Sequence, residues 1–398
     1  MMNPTMFDPI ALDAWYSDEN NDSLLQTELE HYLQNYFSCF SQQPQRRLFQ
    51  TFIQGLLSPL ERKSIEPVAL HFSGEKYELL SRQIGAGCGM LSVDDTSFVK
   101  KGKHSAGVKR QYCGCLGKTE NCQSGVFLAY AGDKGYGLVD YELYIPKEWF
   151  SGDYSKLREE CHIPEEKTFA TKNQIAQRML NQVIKSGRFQ VQWVGCDAAY
   201  GNDHGFLDGL ELPEGVWYFA ATNAKEQVFL EYPQQSFPET KRGRPRKHPV
   251  LSNGPTSVRD IAEDPSLPWE TVVLAEGTKG PIIAERKFLR CFSCRADGSR
   301  NYVKPGDEIW LYLRKYAGDE IKYFVCNAPA VLPVGELDRA ATLRWPIEQC
   351  FEECKSNLGM GDYECRSYQG WNRHMLFVMI THLFATQIRE IFKKRQSR

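Results

Sequence analysis

Apolar positions in the first quarter of the chain recur at helical spacing. The segments LLQTELEHYLQNYF and RRLFQTFIQGLLSPLERKSIEPVALHF, within residues 24–72, place apolar residues three and four apart, and Ser58 and Pro59 interrupt the pattern. The spacing predicts a helical N-terminal region over residues 1–85.

The period of the pattern changes at about residue 86. Met90, Leu91 and Val93 lead into the acidic pair Asp94 and Asp95, and a Gly-rich basic loop follows. This pattern predicts a strand that ends at carboxylates. Successive strand residues face opposite sides of a sheet, so the pattern alone leaves either aspartate open as the functional one.

The next segments continue an α/β pattern over residues 86–205. The stretches SGVFLAYAG (124–132) and YGLVDYELYIP (136–146) flank a short turn and predict an antiparallel hairpin. NQIAQRMLNQVIKSG then has one apolar helical face and ends at Gly187, and the strand pattern FQVQWVGCDAAYG follows. Asp197 is therefore expected at the end of a central strand.

Residues 206–338 are rich in β-branched and aromatic runs, among them WYFAAT, KEQVFLEY, ETVVLAEGTKG, EIWLYLRKY and IKYFVCNAP. They predict a β-rich insertion. Helical periodicity returns near Ala340, so residues 339–398 are predicted to be helical. The segment HMLFVMITHLFATQI is too short and too often interrupted by polar residues to span a bilayer, and no membrane partner is expected.

Composition places the chain among soluble globular proteins. Its 398 residues are 42% hydrophobic and 25% charged, and the N-terminus lacks the pattern of a secretory signal. The thirteen cysteines then indicate reduced thiols in the cytoplasm rather than a disulfide framework. Only Cys291 and Cys294 form a CxxC pair, so structural zinc is the lesser alternative.

The net charge of −2 conceals an uneven distribution. Residues 1–40 hold seven acidic residues and no Lys or Arg, which leaves 48 basic against 43 acidic residues, a charge of +5, over the rest of the chain. Local basic clusters therefore keep nucleic acid open as a partner.

Three acidic positions could act together: the acid of the first strand, Asp197 and Glu348. Clustered carboxylates repel one another unless a divalent cation neutralises them, and their oxygen atoms suit Mg²⁺ or Mn²⁺. A two-metal site for phosphodiester chemistry is the specific hypothesis. The alternative is that the aspartates begin a turn or cap a helix.

The surroundings of Glu348 suit phosphate binding. A helical advance of about 100° per residue places Glu348 about 40° and Lys355 about 20° from Arg344, on one helix face. Two cations beside an acid can bind phosphate next to a metal, whereas the alternative is an ordinary ion pair. Glu352 stays open as a competitor for Glu348, while Glu353 points away.

The chain resembles the bacterial insertion-sequence DDE transposases that have a β-rich insertion before the final Glu. The resemblance rests on RRLFQTFIQGLLSPLERKSIE, DDTSFVKKGKHSAGVKRQYCGCLGKTENCQ, GCDAAYGND, EGTKGP and RWPIEQCFEECKSNLGMGDYECRSYQGWNRH, so it covers the chain nearly end to end. Related transposases have a Tyr, Arg, Glu, Lys signature around the last acid. Arg344, Glu348 and Lys355 match its spacing, and Ala341 stands at the Tyr position.

The resemblance implies an α/β fold: a ribonuclease-H-like mixed sheet core, interrupted by the insertion and preceded by a helical N-terminal domain that binds DNA. It implies that Asp95, Asp197 and Glu348 bind two Mg²⁺ ions, for which Mn²⁺ can substitute, with no organic cofactor. Asp95 is preferred here to Asp94. The implied activity is cleavage at the ends of the element and strand transfer into target DNA. The implied partner is double-stranded DNA, namely the terminal inverted repeats of the element and the target DNA. The resemblance also implies that a homodimer binds this DNA in the synapse.

Two basic segments are candidates for DNA contacts, and a solvated basic loop is the alternative for each. The segment KRGRPRKHP resembles an AT-hook, an extended basic strand that enters the minor groove. The loop KKGKHSAGVKR lies just after the first acids. The candidate residues are Arg242, Arg244, Arg246 and Lys247 in the first segment, Lys100, Lys101, Lys103, Lys109 and Arg110 in the second, and Arg344 and Lys355 beside Glu348.

Two other functions remain open on the sequence: a transposase-derived regulator that binds DNA without turnover, and a ribonuclease-H-like nuclease that cuts without joining. Trp217, Trp269 and Trp310 could stack on a flipped base, although core packing is the commoner use of Trp.

Overall fold

The computed structural model describes residues 19–40, 43–57, 84, 88–237, 247–277, 280–296, 302–316, 318 and 320–396. The chain divides into two compact units. The first unit comprises the described residues of Phe7–Val191 and Leu343–Arg398, and the second unit comprises those of Gln192–Thr342. The predicted β-rich insertion lies within the second unit, which also includes Asp197.

In the described part of the first unit, four antiparallel strands form the sheet. They are β1 (Gly89–Val99), β2 (Lys109–Cys113), β3 (Lys118–Gly132) and β4 (Gly135–Tyr144). The long strand β3 pairs with β1, β2 and β4. The predicted hairpin is confirmed in β3 and β4. The expectation that the first strand ends at its acids is wrong, because Thr96, Ser97 and Phe98 continue the pairing with β3.

Within its described residues, the first unit has six α-helices. They are α1 (Glu19–Gln34), α2 (Gln43–Leu57), α3 (Ser155–Glu160), α4 (Lys172–Lys185), α9 (Pro346–Ser356) and α10 (Tyr368–Gln396). The predicted helix before Gly187 is confirmed as α4: Thr171 and Gln174 form a capping box at its start, and Gly187 follows its end with a φ of 64°.

The two N-terminal helices pack on the C-terminal helix α10. Tyr32 of α1 donates a hydrogen bond to the carbonyl oxygen of Ile380 at 2.8 Å, and its ring contacts Phe384. In α2, the rings of Phe49 and Phe52 both contact Phe377. The described N-terminal helices therefore share the core of the first unit, and DNA binding by the N-terminal region stays a prediction.

The second unit contains the remaining strands and helices. Its strands are β5 (Val191–Cys196, which begins one residue before the unit boundary), β6 (Trp217–Thr222), β7 (Gln227–Phe229), β8 (Gln235–Ser236), β9 (Val250–Leu251), β10 (Thr256–Ser257), β11 (Glu270–Gly277), β12 (Gly280–Ala296), β13 (Val303–Lys315) and β14 (Lys322–Cys326). Its helices are α5 (Ala198–Gly201), α6 (His204–Asp208), α7 (Val258–Glu263) and α8 (Val334–Leu343).

The strands of the second unit form a mixed sheet. The order is β10-β7-β12-β13-β14-β6-β5, with β11 paired to β12, and β8 and β9 pair separately. Strands β5 and β6 are parallel, and the other pairs are antiparallel. All five predicted β-rich runs contain strands, and the α/β class of the chain is confirmed.

No helix among the described residues combines the length and the apolar character needed to cross a bilayer.

Candidate active site

The two acids of β1 lie on opposite faces of the sheet in the first unit. Asp94 pairs with Phe127 of β3, and Asp95 pairs with Val126. Paired residues of neighbouring strands share a face, and successive residues alternate between faces. The contacts of Asp94, Asp95 and their neighbours then show which helix covers each face.

Asp95 faces helix α4. Its Oδ2 atom lies 2.5 Å from Nζ of Lys172, in the first turn of α4, and accepts a hydrogen bond from the Ser124 hydroxyl at 3.1 Å. About a quarter of each charged side chain is exposed. The charge of Asp95 is therefore balanced by a lysine within the protein. Sequence reasoning missed Lys172, because the two residues are far apart in the chain.

Asp94 faces helix α9, the helix that contains Glu348. The ring of its partner Phe127 lies 5.5 Å from the ring of Phe351 in α9. Two residues further along β1, the Thr96 hydroxyl lies 2.5 Å from Nζ of Lys355, also in α9. Asp94, Thr96 and α9 therefore share one face. The role of Asp95 stays a prediction, and this register favours its alternative, Asp94.

Glu348 lies at the start of α9 beside a cation. Its Oε1 atom accepts a hydrogen bond from Arg344 at 2.7 Å, and 35% of the Glu348 side chain is exposed against 16% of the Arg344 side chain. Lys355 lies two turns further along the helix on the same face. A partly exposed carboxylate between two cations can bind a metal next to a phosphate group.

Glu353, in the same helix, faces the protein interior. Only 1% of it is exposed. Its carboxylate accepts hydrogen bonds from the Tyr136 hydroxyl at 2.6 Å and from Gln349 at 3.1 Å, and it lies 2.6 Å from Nε2 of His382 and 3.7 Å from Arg389. These contacts join α9 to β4 and α10. Burial raises the pKa of Glu353, but the contacts with His382, Tyr136 and Arg389 together outweigh it, so the pKa lies below its usual value.

Glu353→Gln is expected to lower the free energy of unfolding at pH 7 by about 3 kcal/mol, because it leaves the buried Arg389 without its carboxylate. Glu352→Gln, an exposed neighbour in the same helix, should change it by less than about 0.5 kcal/mol. Urea unfolding measures both.

The stability difference between Glu353→Gln and the wild type should also depend on pH. A depressed carboxyl pKa stabilises the fold above the unfolded pKa of about 4.3, so this difference should shrink as the pH falls below that value. Equal stability of the two variants would contradict the role of Glu353.

Asp197 lies in the second unit and caps a short helix. Its Oδ1 atom accepts hydrogen bonds from the backbone N–H groups of Ala199 at 2.9 Å and Tyr200 at 3.3 Å, at the start of α5. Helix capping, one of the alternatives that the sequence left open, is thus observed for this aspartate, and metal binding stays a prediction.

The residues after Asp197 hold the helix against β6. A Cβ atom on Gly201 would lie 2.0 Å from the carbonyl oxygen of Ala221, so only glycine allows this close approach. The side chain of Asn202 accepts hydrogen bonds from the Thr222 hydroxyl at 2.7 Å and from the backbone N–H group of Asn223 at 3.2 Å. The GCDAAYGND segment thus fixes the position of Asp197 within its unit.

In the predicted basic loop after β1, some cations contact protein groups and others form no ion pair among the described residues. Lys109 forms an ion pair with Glu148, and Lys100 donates to the carbonyl oxygen of Tyr363 at 2.9 Å while its ammonium group lies 3.4 Å from the centroid of the Tyr363 ring. Burial lowers the pKa of Lys100 to about 8. Both lysines are thus held by protein groups, and their contacts to DNA stay predictions.

Three other cations of this loop are exposed. They form no ion pair with any residue in the described part of the chain, and they are Lys101, Lys103 and Arg110. Lys247 is exposed too, whereas Arg242, Arg244 and Arg246 lie outside the described residues. The free cations can bind phosphate groups without first breaking an ion pair.

No cluster of three or more His, Cys, Asp or Glu side chains suited to a metal ion occurs among the described residues. Asp94, Asp95 and Glu348 belong to the first unit, and Asp197 belongs to the second. The cysteines of the described segments are free thiols, most of them buried, as the sequence predicted. The carboxylate oxygens of the acids match the donor type that Mg²⁺ prefers.

Comparison with known proteins gives a match to a family model and similarity to solved structures. The model of the family described as DDE superfamily endonuclease matches residues 78–281, about half of the chain. No curated protein matches the chain. Among solved structures, it is similar to the piggyBac transposase, determined by cryo-EM as a synaptic complex with hairpin DNA: the identity is 10%, the TM-score is 0.34, and the match covers 75% of this chain and 46% of that one.

Proposed function

The chain belongs to the DDE superfamily of endonucleases, and from that premise we propose that it is a transposase that cleaves DNA at the ends of its own element and joins the 3′-hydroxyl groups to target DNA. Its proposed partner is double-stranded DNA, bound by two copies of the chain in the cytoplasm. The ribonuclease-H-like character of the fold and the insertion-sequence origin belong to the same proposal.

The acids of the chain have the central role in this proposal. The carboxylates of Asp197, Glu348 and one acid of β1, Asp94 by its register or Asp95, would hold two Mg²⁺ ions, for which Mn²⁺ can substitute. Such ions supply a deprotonated water or hydroxyl nucleophile and stabilise the leaving oxygen. Neutral side chains cannot balance the charge of divalent ions in this way.

The basic side chains bind and orient the DNA. Lys101, Lys103 and Arg110 would bind backbone phosphates, because they are exposed and free of ion pairs. Arg344 and Lys355 flank Glu348 and would orient the phosphodiester that is cut. The hydrogen bond to Thr96 holds Lys355 on the face of Asp94.

One observation favours this function most. The sheet face that contains Asp94 and Thr96 is covered by α9, the helix with Glu348 between Arg344 and Lys355. Two acids with phosphate-binding cations on one face are the arrangement that metal-dependent phosphodiester chemistry requires.

A strand-transfer assay tests the proposal. Labelled duplexes that contain the genomic DNA flanking both sides of the gene would be incubated with the full chain, Mg²⁺ and a supercoiled target plasmid. We expect Mg²⁺-dependent cuts at the ends and labelled joint products, and EDTA should abolish both. Cuts without joint products would indicate a nuclease, and binding without cuts would indicate a DNA-binding regulator.

A further inference from the structure

The hairpin of β2 and β3 presents one aromatic ring to solvent. Tyr112 of β2 is 65% exposed. Within the described residues, no aromatic ring or cation packs against its ring, and its hydroxyl has no hydrogen-bond partner. The ring therefore offers an uncovered aromatic face to a partner from solution.

Tyr112 lies on the same sheet face as Asp94. In the regular pairing of β2 with β3, Tyr112 lies opposite Thr119 and Arg110 lies opposite Asn121. In the pairing of β1 with β3, Asp94 lies opposite Phe127. Thr119, Asn121 and Phe127 are separated by even numbers of residues along β3, so all three point to one face, and so do their partners.

The surroundings of Tyr112 carry positive charge. Arg110 is two residues away on the same strand and face, exposed, and without an ion pair among the described residues. Residues 100–120 contain six Lys or Arg residues and one acid, Glu120. An exposed ring beside an unpaired guanidinium group suits a nucleobase stacked on the ring with its phosphate on the cation.

We propose that Tyr112 and Arg110 bind an unpaired DNA strand, with a base stacked on Tyr112 and a phosphate bound by Arg110. The proposal rests on the proposed function, because it takes DNA as the substrate. The partners of Tyr112 and Asp94 lie eight residues apart along β3, which at about 3.3 Å per residue is about 26 Å, the rise of about eight stacked nucleotides. The ring would therefore hold a strand that has separated at some distance from the cut.

The tryptophans considered from the sequence are less suited to this role. Trp310 is 7% exposed and donates to the carbonyl oxygen of Pro329 at 3.2 Å, and the ring of Trp217 contacts Trp193. The ammonium group of Lys315 lies 4.5 Å from the ring centroid of Trp269. Each ring already has a partner within the protein, whereas that of Tyr112 has none among the described residues.

Binding measured in EDTA tests the proposal without cleavage. The full chain would be titrated, by fluorescence anisotropy, with a labelled duplex that ends in an overhang of about ten unpaired nucleotides and with the matching blunt duplex. We expect the wild type to bind the overhang more tightly. Tyr112→Ala should weaken binding of the overhang by about tenfold and leave the blunt duplex unchanged, whereas Tyr112→Phe should keep the wild-type affinities.

The matched control is Leu116→Ala, which removes an exposed apolar side chain from the same hairpin without removing a ring. It should leave both affinities unchanged. A 2-aminopurine in the overhang should be quenched by the wild type and not by Tyr112→Ala, and thermal unfolding should show that the variants stay folded. An unchanged affinity of Tyr112→Ala for the overhang, or an equal loss on the blunt duplex, would overturn the proposal.

Cleavage in Mg²⁺ separates this proposal from the proposed function. If the wild type cuts DNA while Tyr112→Ala binds the overhang normally, the stacking site is wrong and the endonuclease assignment stands. If the wild type discriminates the overhang through Tyr112 but cuts no DNA, the stacking site stands and the transposase assignment is wrong. A wild type that binds no DNA overturns both.

Discussion

Asp94→Asn is expected to lower Mg²⁺-dependent DNA cleavage on the order of a thousandfold, whereas Asp95→Asn should lower it by less than about tenfold. Asp94 shares its sheet face with Thr96 and helix α9, and Asp95 is paired with Lys172 on the opposite face. An asparagine has the shape of the aspartate but lacks the charge that a divalent ion requires, so only the acid that binds metal should be sensitive.

These two variants are matched controls for each other, since they make the same change at adjacent residues of one strand. Initial rates of cleavage on labelled duplex DNA, with DNA binding measured in EDTA, separate chemistry from affinity. Asp95→Asn removes the carboxylate partner of Lys172, so a small loss of stability is expected for it alone. A thousandfold loss in Asp95→Asn with a nearly active Asp94→Asn would return the assignment to Asp95.

The position of these two acids shows where the sequence stops being informative. The apolar residues before Asp94 predict a strand, and the strand exists as β1. Which aspartate faces α9 depends on the pairing of β1 with β3, and that register joins residues about thirty positions apart. A shift of this register by one residue would exchange the faces of Asp94 and Asp95, so local patterning could not decide between them.

Elements with a strong local signal were predicted from the sequence. The hairpin β3–β4 has a short turn between two apolar runs, and α4 has a cap, one apolar face and a terminal glycine. Strand β12 was missed because charged residues interrupt its apolar pattern. Arg286 forms ion pairs with Glu270 and Asp338, and Lys287 is buried against the carbonyl oxygen of Ala262. These partners of Arg286 and Lys287 are brought together only by the tertiary structure, so the local pattern of β12 does not reveal them.

Asp197→Asn is expected to abolish cleavage, with a loss on the order of a thousandfold, while DNA binding in EDTA changes by less than about threefold. Asparagine is as good a helix cap as aspartate, so α5 should keep its start and the variant should stay folded. The phosphate contacts of the basic loop are also unchanged by this substitution. The variant therefore isolates the negative charge of Asp197 from its capping role.

Asp203→Asn provides the matched control, because Asp203 caps α6 as Asp197 caps α5. Both variants replace a capping aspartate with an asparagine within a few residues of each other, yet only Asp197 is proposed to bind metal. Asp203→Asn should therefore cleave within about threefold of the wild type. Equal activity of the two variants would leave Asp197 with a capping role alone, and the metal site would then require a different third acid.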